Sequence, residues 1–299
     1  MGDTTFRKIP GPISTALYTL LALLFSFIWA SAFIAIKFGL RSSPPFFLMG
    51  FRFLVAGSTL LLFARASKHP LPHSQRDWSR LAILGLLNNA LYLGLSAVAL
   101  RHLSSGMGAV LASTNPLMLA VVAAFFLKER LSLTKVIGLV LSFVSVLVIM
   151  YSRLGTGDDP ISMALLLLAN AFLVLGTVLF KHWSPRQNLT VINGTQLIIA
   201  GVVLLLPSLL CEPVASIRWN LNFFFAIVYL SLVVSCGAMM IWFFLLRNSD
   251  ASRASAFLFL NPVIGLFLGA LLLSEPLRGL DFVGVAGVAL GIYLVQRFK

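Results

Sequence analysis

Charged side chains are scarce in this sequence. Only 10% of its 299 residues are Asp, Glu, Lys or Arg, whereas 59% are hydrophobic and the mean hydropathy is +0.99. A soluble domain carries about 25% charged residues. The deficit excludes a soluble globular protein and indicates an integral membrane protein that has the lipid bilayer as its surroundings.

Acidic residues, cysteines and histidines are also few. The nine acidic residues leave a net charge of +13, but the basic residues are spread through short loops between apolar runs, so we expect no nucleic-acid partner. Cys211 and Cys236 form no disulfide framework and are predicted to be free thiols. The four histidines form no metal-binding motif, and neither a GxSxG nor a Walker motif occurs. We therefore expect no enzyme, no cofactor and no metal site.

Apolar runs long enough to cross a bilayer recur along the whole chain. About 20 helical residues span the hydrocarbon core, and loops rich in Pro, Gly, Ser and charge separate the runs. The first run is longer than the apolar region of a signal peptide and has no clear cleavage site, so it is predicted to be an uncleaved helix. The sequence predicts ten transmembrane helices, at about 16–36, 46–64, 81–100, 106–127, 133–151, 161–180, 190–210, 222–246, 253–273 and 281–296.

The basic residues predict how these helices are oriented. If the N-terminus is cytoplasmic, 15 Lys and Arg residues lie on the inner side and six on the outer side, while Arg52 lies within a helix. Positive residues accumulate on the cytoplasmic side of membrane proteins. We therefore expect both termini in the cytoplasm.

The fourth and ninth predicted helices resemble each other. Residues 106–138, GMGAVLASTNPLMLAVVAAFFLKERLSLTKVIG, form an apolar run that is interrupted by Asn-Pro and closed by a short charged turn. When the numbering is shifted by 144, residues 49–57 align with residues 193–201. At an offset of 146 the coinciding pairs are Arg101 with Arg247, Asn115 with Asn261, Pro116 with Pro262, Glu129 with Glu275 and Gly138 with Gly284.

These matches indicate a duplicated half. Residues 1–152 would contain helices 1 to 5 and residues 153–299 helices 6 to 10. Because five is an odd number, the second copy crosses the membrane in the opposite sense. Inverted repeats are typical of carriers that alternate access around a site near the midplane. The predicted fold is an all-α membrane domain with two inverted five-helix repeats around a central cavity.

Each Asn-Pro pair lies about ten residues into its helix, and therefore about 15 Å deep in the bilayer. Proline frees the carbonyl four residues earlier, that of Ala112 or Leu258. A membrane tolerates a free carbonyl only against protein or a wet cavity. The pairs are therefore either structural kinks or kinks that also line a pathway.

A polar and aromatic face recurs in helices 3 and 8. It would form a cavity wall suited to an apolar or aromatic side chain, with Met239 adding a soft sulfur contact. The alternative for Trp242 is an interfacial anchor. The face consists of Asn89, Tyr92 and Ser96 in helix 3 and, at an offset of 146, of Ser235, Ala238 and Trp242 in helix 8.

Helix 1 carries Trp29, Phe33 and Lys37 four residues apart on one face. Trp29 and Phe33 are predicted to form an aromatic gate, with Lys37 as a cation at its outer mouth. The alternative for Lys37 is a side chain that snorkels to the interface.

Arg52 is predicted to lie about 9 Å below the outer surface, where a charge is costly unless it faces protein or water. It either attracts a substrate carboxylate or forms a structural ion pair with Glu275 or Asp281. No Asp or Glu is predicted deep in any of the ten helices. Carriers coupled to protons or sodium often keep such a carboxylate in their pathway, so we expect uncoupled movement of substrate.

Three segments resemble a known family: FIWASAFIAIKFGL at 27–40, ASTNPLMLAVVAAFFLKERLS in helix 4 and FLFLNPVIGLFLGALLLSEPL in helix 9. Over nearly the whole chain they resemble EamA-type carriers of the drug/metabolite transporter superfamily, and most of all its YddG-type exporters of aromatic amino acids and methionine. The resemblance implies a basket of helices around a central cavity. By position, it implies a substrate site made of Trp29, Phe33, Asn89, Tyr92, Ser113, Asn115, Pro116, Met239, Trp242, Phe257 and Asn261.

The expected function is therefore export of small metabolites by alternating access, with aromatic and other large apolar amino acids as leading substrates. The expected location is a bacterial inner membrane, and the expected state is a monomer. Two alternatives stay open: a broad-specificity efflux carrier for drugs and apolar cations, and a membrane scaffold or sensor that transports nothing.

Overall fold

The computed structural model describes residues 14–103, 105–151, 159–273 and 279–297. These residues are mostly helical, and no β-strand occurs among them. Two π-helical stretches, Leu86–Leu91 and Tyr229–Ala238, join α3 to α4 and α10 to α11. The helices are α1 (Thr15–Leu40), α2 (Pro45–Ala66), α3 (Gln75–Gly85), α4 (Tyr92–Ala99), α5 (Ser105–Ala112), α6 (Asn115–Phe126), α7 (Leu133–Tyr151), α8 (Pro160–Trp183), α9 (Leu189–Cys211), α10 (Leu221–Val228), α11 (Met239–Asn248), α12 (Ala251–Ala256), α13 (Leu260–Leu273) and α14 (Gly279–Arg297).

Every predicted apolar segment coincides with helix, because backbone polar groups in hydrocarbon must bond within their own segment. In the described part of the chain, seven helices are long and apolar enough to cross a membrane. They are α1, α2, the unit of α3 and α4, α8, α9, the unit of α10 and α11, and α14. Both cysteines are free thiols, as predicted.

The fourth and ninth predicted segments are broken beside their Asn-Pro pairs. Two residues separate α5 from α6, and a short 3-10 turn separates α12 from α13. The carbonyls that receive side-chain hydrogen bonds lie one residue before those predicted. Asn170 Nδ2 donates to the Leu111 carbonyl at 2.7 Å, and Ser26 Oγ donates to the Phe257 carbonyl at 3.0 Å. Polar side chains of α8 and α1 thus stabilise the two breaks.

Two helix pairs pack along their length, α2 with α9 and α7 with α14. Small residues let membrane helices approach this closely. A Cβ on Gly57 would lie 2.9 Å from the Gly194 carbonyl oxygen, and a Cβ on Gly138 would lie 2.6 Å from the Gly291 carbonyl oxygen. Gly138 therefore lets α7 approach α14 closely.

The buried apolar side chains form two main clusters at different levels of the bundle. One cluster contains Phe25 of α1 together with Trp242 of α11. The other contains Ile36, further along α1, together with Phe53 of α2. Trp29 packs against both clusters, so it lies at the boundary between them.

Candidate functional site

A cavity lies between helices from both parts of the chain. The empty space in and around it is about 530 Å³ when the open solvent at its mouth is counted, and the enclosed part is narrow. Its walls come from the second half of α1, from α2, α4, α5 and α8, and from the π-helical stretch Tyr229–Ala238. The cavity is partly open and lies toward the C-terminal end of α1. We call that side the open end and the opposite side the closed end. The lining residues are Trp29, Ala32, Ile36, Arg52, Tyr92, Leu93, Ser96, Ala97, Leu100, Gly108, Ala112, Leu166, Asn170 and Val234.

An aromatic stack separates the cavity from the closed end. Phe25 stacks on Trp29 at a centroid distance of 5.5 Å and on Trp242 at 5.2 Å. Tyr92 packs beside Trp29, and both side chains line the cavity. Trp242 is 4% exposed and packs in the core, which contradicts the alternative of an interfacial anchor. The rings of Phe25, Trp29 and Trp242 are called the aromatic stack below.

Arg52 brings a buried charge to the cavity wall. Its side chain is almost fully buried, with the residue 1% exposed, and its guanidinium carbon lies 4.7 Å from the centroid of the Phe53 ring. Nε and NH1 have no hydrogen-bond partner, and within the described residues no carboxylate pairs with Arg52. The predicted ion pair with Asp281 is therefore not formed, while Glu275 lies outside the described residues. An uncompensated buried charge costs several kcal/mol.

Four predicted residues lie at the two helix breaks. Ser113, Asn115 and Pro116 are buried next to the lining residue Ala112. Asn115 Nδ2 and Asn261 Oδ1 are buried atoms without a hydrogen-bond partner. The structure therefore places polar atoms at both breaks, but not among the lining residues of the cavity.

The other predicted residues are distributed below and beside the cavity. Asn89 lies in a π-helical stretch, fully buried, and neither atom of its amide has a partner. Met239 and Phe257 belong to the same core cluster as the aromatic stack. Lys37 is exposed and does not line the cavity. The side chain of Phe33 lies outside the described part of the structure.

Two residues that matter for this geometry were not predicted from the sequence. Phe25 is the central ring of the aromatic stack, and Asn170 both lines the cavity and bonds the break between α5 and α6. Asn170 is the one Asn in α8, and the offset of 144 maps Ser26 onto it. The sequence alone therefore paired Asn170 with another polar residue, Ser26, and the structure shows that both are buried.

Charged side chains join the loops at the closed end. Glu129 accepts hydrogen bonds from two backbone N–H groups at the start of α12, at 2.8 and 3.3 Å, and from Ser252 Oγ at 2.9 Å. Its Oε1 lies 3.8 Å from Lys181 Nζ. Lys135 Nζ lies 3.1 Å from Asp250 Oδ2, beside the same helix start. Anions are stabilised at a helix N-terminus, so Glu129 fixes α12 in its present position.

Comparison with known proteins links this architecture to transporters. The model of the EamA-like transporter family matches residues 16–151 and 160–297. The chain is 29% identical over 290 residues to the uncharacterized transporter YvbV of Bacillus subtilis, a match that covers 97% of this chain and 93% of YvbV. It is 28% identical to the uncharacterized inner membrane transporter YedA of Escherichia coli K12, covering 91% of this chain and 88% of YedA.

The fold also occurs among solved structures, and a crystal structure illustrates it. That crystal structure is 18% identical in sequence and superposes with a TM-score of 0.81, over 95% of this chain and 99% of its own. At this level of identity, the likeness concerns the arrangement of helices alone.

Proposed function

The chain belongs to the EamA-like transporter family, and on that premise we propose that it exports aromatic and other large apolar amino acids by alternating access. The chain is a multi-pass membrane transporter. Beyond family membership, we propose the substrate class and the likeness to YddG-type exporters.

The cavity is the observation that carries this proposal. It is open at one end, sealed at the other by the aromatic stack, and walled by Trp29 and Tyr92. Aromatic walls bind flat apolar side chains through dispersion and offset stacking. A concave, mostly apolar site with a few polar groups is the usual form of a small-molecule site.

We further propose that the chain crosses the membrane ten times, in two inverted repeats formed by residues 1–152 and 153–299. The family model matches two ranges of similar length, which fits two copies. The hydrogen bonds at the two helix breaks also support it. At the offset of 144 Ser26 corresponds to Asn170, and at the offset of 146 Leu111 corresponds to Phe257, so the two bonds are equivalent contacts between one copy and the other.

Inverted repeats imply what the opposite state looks like. When the closed end opens, the second-half equivalents of the lining residues become the cavity wall. At the offset of 146, Leu93 corresponds to Met239 and Gly108 to Ala254. In the described conformation, Met239 and Ala254 are both buried in the core. Met239 therefore contacts substrate in the state that is open at the other end.

The closed end is proposed to face the cytoplasm of a bacterial inner membrane, with both termini on that side. Four basic residues at or beside the closed-end loops support this orientation: Lys135, Lys181, Arg247 and Arg253. Cytoplasmic loops carry an excess of Lys and Arg. The described conformation is then open to the outside.

The acidic residues favour uncoupled transport and disfavour a carrier of cations. None of the lining residues of the cavity is acidic. A proton-coupled or sodium-coupled carrier often keeps an intramembrane carboxylate, and an apolar cation would need the same counter-charge.

Uptake into proteoliposomes tests the proposal. The purified protein is given labelled phenylalanine and tryptophan, alongside threonine, glutamate and a cationic dye. We expect saturable uptake of the two aromatic amino acids that persists when a proton gradient is abolished. Uptake of the dye alone would support the efflux alternative, and movement of none of the five would support a scaffold or sensor.

A further inference from the structure

Among the described residues that line the cavity, Arg52 alone is charged, and its charge is positive. Its backbone carbonyl accepts a hydrogen bond from Ser231 Oγ at 3.0 Å, which fixes this turn of α2 against the neighbouring π-helical stretch. The Phe53 ring covers one side of the guanidinium, while Nε and NH1 keep their hydrogen-bonding capacity unused. A guanidinium in a water-poor site is stabilised most by a carboxylate, which two of its N–H groups bind in parallel.

The other polar groups of the wall are neutral. Ser96 Oγ is buried without a hydrogen-bond partner, and Asn170 uses its amide nitrogen to hold the helix break. Neither Ser96 nor Asn170 offers a full negative charge to an ammonium group. The cavity therefore distinguishes the two ends of a zwitterion, since it has a charge for the carboxylate and none for the amine.

We propose that Arg52 is the carboxylate-binding residue of the cavity, and that the transported class is monocarboxylates with an aromatic or other apolar body, for which an α-amino group is not required. This inference rests on the proposed function and defines its substrates by their carboxylate and apolar body. The carboxylate binds at Arg52 on the α2 side of the cavity, and the apolar body lies against Trp29 and Tyr92.

The repeat indicates that this anion site is one-sided. At an offset of 144, the counterpart of Arg52 is Gln196. Gln196 is also fully buried, but its amide carries no charge. One guanidinium accommodates one carboxylate, so dicarboxylates and phosphorylated solutes are expected to bind poorly.

Three ligands that share a phenyl ring test the proposal without any mutation. They are phenylalanine, 3-phenylpropionate, which lacks the amine, and phenethylamine, which lacks the carboxylate. Binding is measured as the shift in melting temperature of the detergent-solubilised protein, and transport as uptake into proteoliposomes. We expect phenylalanine and 3-phenylpropionate to bind and move, and phenethylamine to do neither.

Two variants locate the site, and a third serves as the control. Arg52→Gln copies the residue of the other half and should weaken binding of both carboxylates by about 10- to 100-fold, the usual effect of losing a hydrogen-bonded charged partner. Arg52→Lys should recover part of that loss. Arg41→Gln removes an exposed positive charge that lies over the Phe38 ring at the same end of α1, and it should change neither affinity.

The outcomes separate this inference from the proposed function. Uptake of phenylalanine that Arg52→Gln leaves unchanged, in a variant that elutes as wild-type protein does, would overturn the carboxylate site and leave the exporter standing. Equal binding of phenethylamine and phenylalanine by the wild-type protein would do the same, even if Arg52→Gln failed to fold. A wild-type protein that neither binds nor moves any of the three ligands would overturn both.

Discussion

Replacing Glu129 by Gln should open the closed end more often. The carboxylate of Glu129, 8% exposed, accepts two backbone N–H groups at the start of α12 and the hydroxyl of Ser252, and it faces Lys181. Glutamine keeps the shape and one acceptor oxygen, but it loses the charge and the second acceptor. A hydrogen bond to a charged group is worth about 1.5–3 kcal/mol and a neutral one about 0.5–1.5. The closed arrangement should therefore lose about 1–3 kcal/mol, which is about a 5- to 150-fold shift toward the opposite state.

The assay is the rate at which a maleimide labels a cysteine that only the opposite state exposes. Ala254→Cys is the probe, because Ala254 is buried in α12 and corresponds to the cavity-lining Gly108 in the other repeat. The background carries Cys211→Ser and Cys236→Ala, which remove the native thiols. Glu129→Gln should raise the labelling rate by the factor estimated above, since labelling of a rarely open site follows the population of the open form.

A matched probe separates gating from general loosening. Ala200→Cys places the same thiol in the core between α2 and α9, at a residue that is fully buried. Its labelling should not respond to Glu129→Gln. An unchanged rate at position 254, or an equal rise at both positions, would refute the role given to Glu129.

Three further predictions concern packing and the pathway. Trp242→Ala and Asn115→Ala should lower the initial rate of transport while the protein still inserts and elutes normally. Gly138→Leu should reduce expression and melting temperature first, because even a Cβ would come within 2.6 Å of the Gly291 carbonyl oxygen. Equal loss of expression in the variants at positions 115, 138 and 242 would assign these three positions to packing. Asn170→Ala should cost about 1–3 kcal/mol of stability, because a buried carbonyl loses its side-chain donor, and an unchanged melting temperature would contradict this.

The positions of the helices follow from the sequence because the bilayer leaves the backbone few choices. A segment of about 20 apolar residues in hydrocarbon must bond its polar groups internally, so hydropathy alone predicted a helix at each of the ten apolar runs. Proline supplied a second signal, because it removes a backbone hydrogen bond inside a helix. The chain is broken beside Pro116 and Pro262, whereas Pro207 lies inside the continuous helix α9.

Contacts between distant segments did not follow from the sequence. The sequence predicted that a carbonyl would be freed near Pro116, but the donor comes from Asn170, 59 positions from Leu111. Glu129 was recognised as part of a recurring turn, whereas its role as the cap of α12 depends on how two loops meet across 122 positions. Hydropathy carries no information on such pairings, because they are set by the packing of whole helices.

The candidate site was predictable in part for the same reason. Trp29 and Tyr92 line the cavity as their helical faces suggested, and Arg52 does so as an isolated charge. The sequence left two partners open for Arg52, a substrate or an acidic side chain. Only the three-dimensional arrangement shows that no described carboxylate reaches it.

Counterflow tests the central claim, a carrier that alternates access, most directly. Proteoliposomes are loaded with unlabelled phenylalanine and diluted into labelled phenylalanine at equal ionic composition. Inside the vesicles, the excess unlabelled phenylalanine competes with entered label for the binding site, so we predict a transient accumulation of label above equilibrium that the unloaded vesicles do not show. Uptake that is linear in concentration, with no overshoot in loaded vesicles, would contradict alternating access.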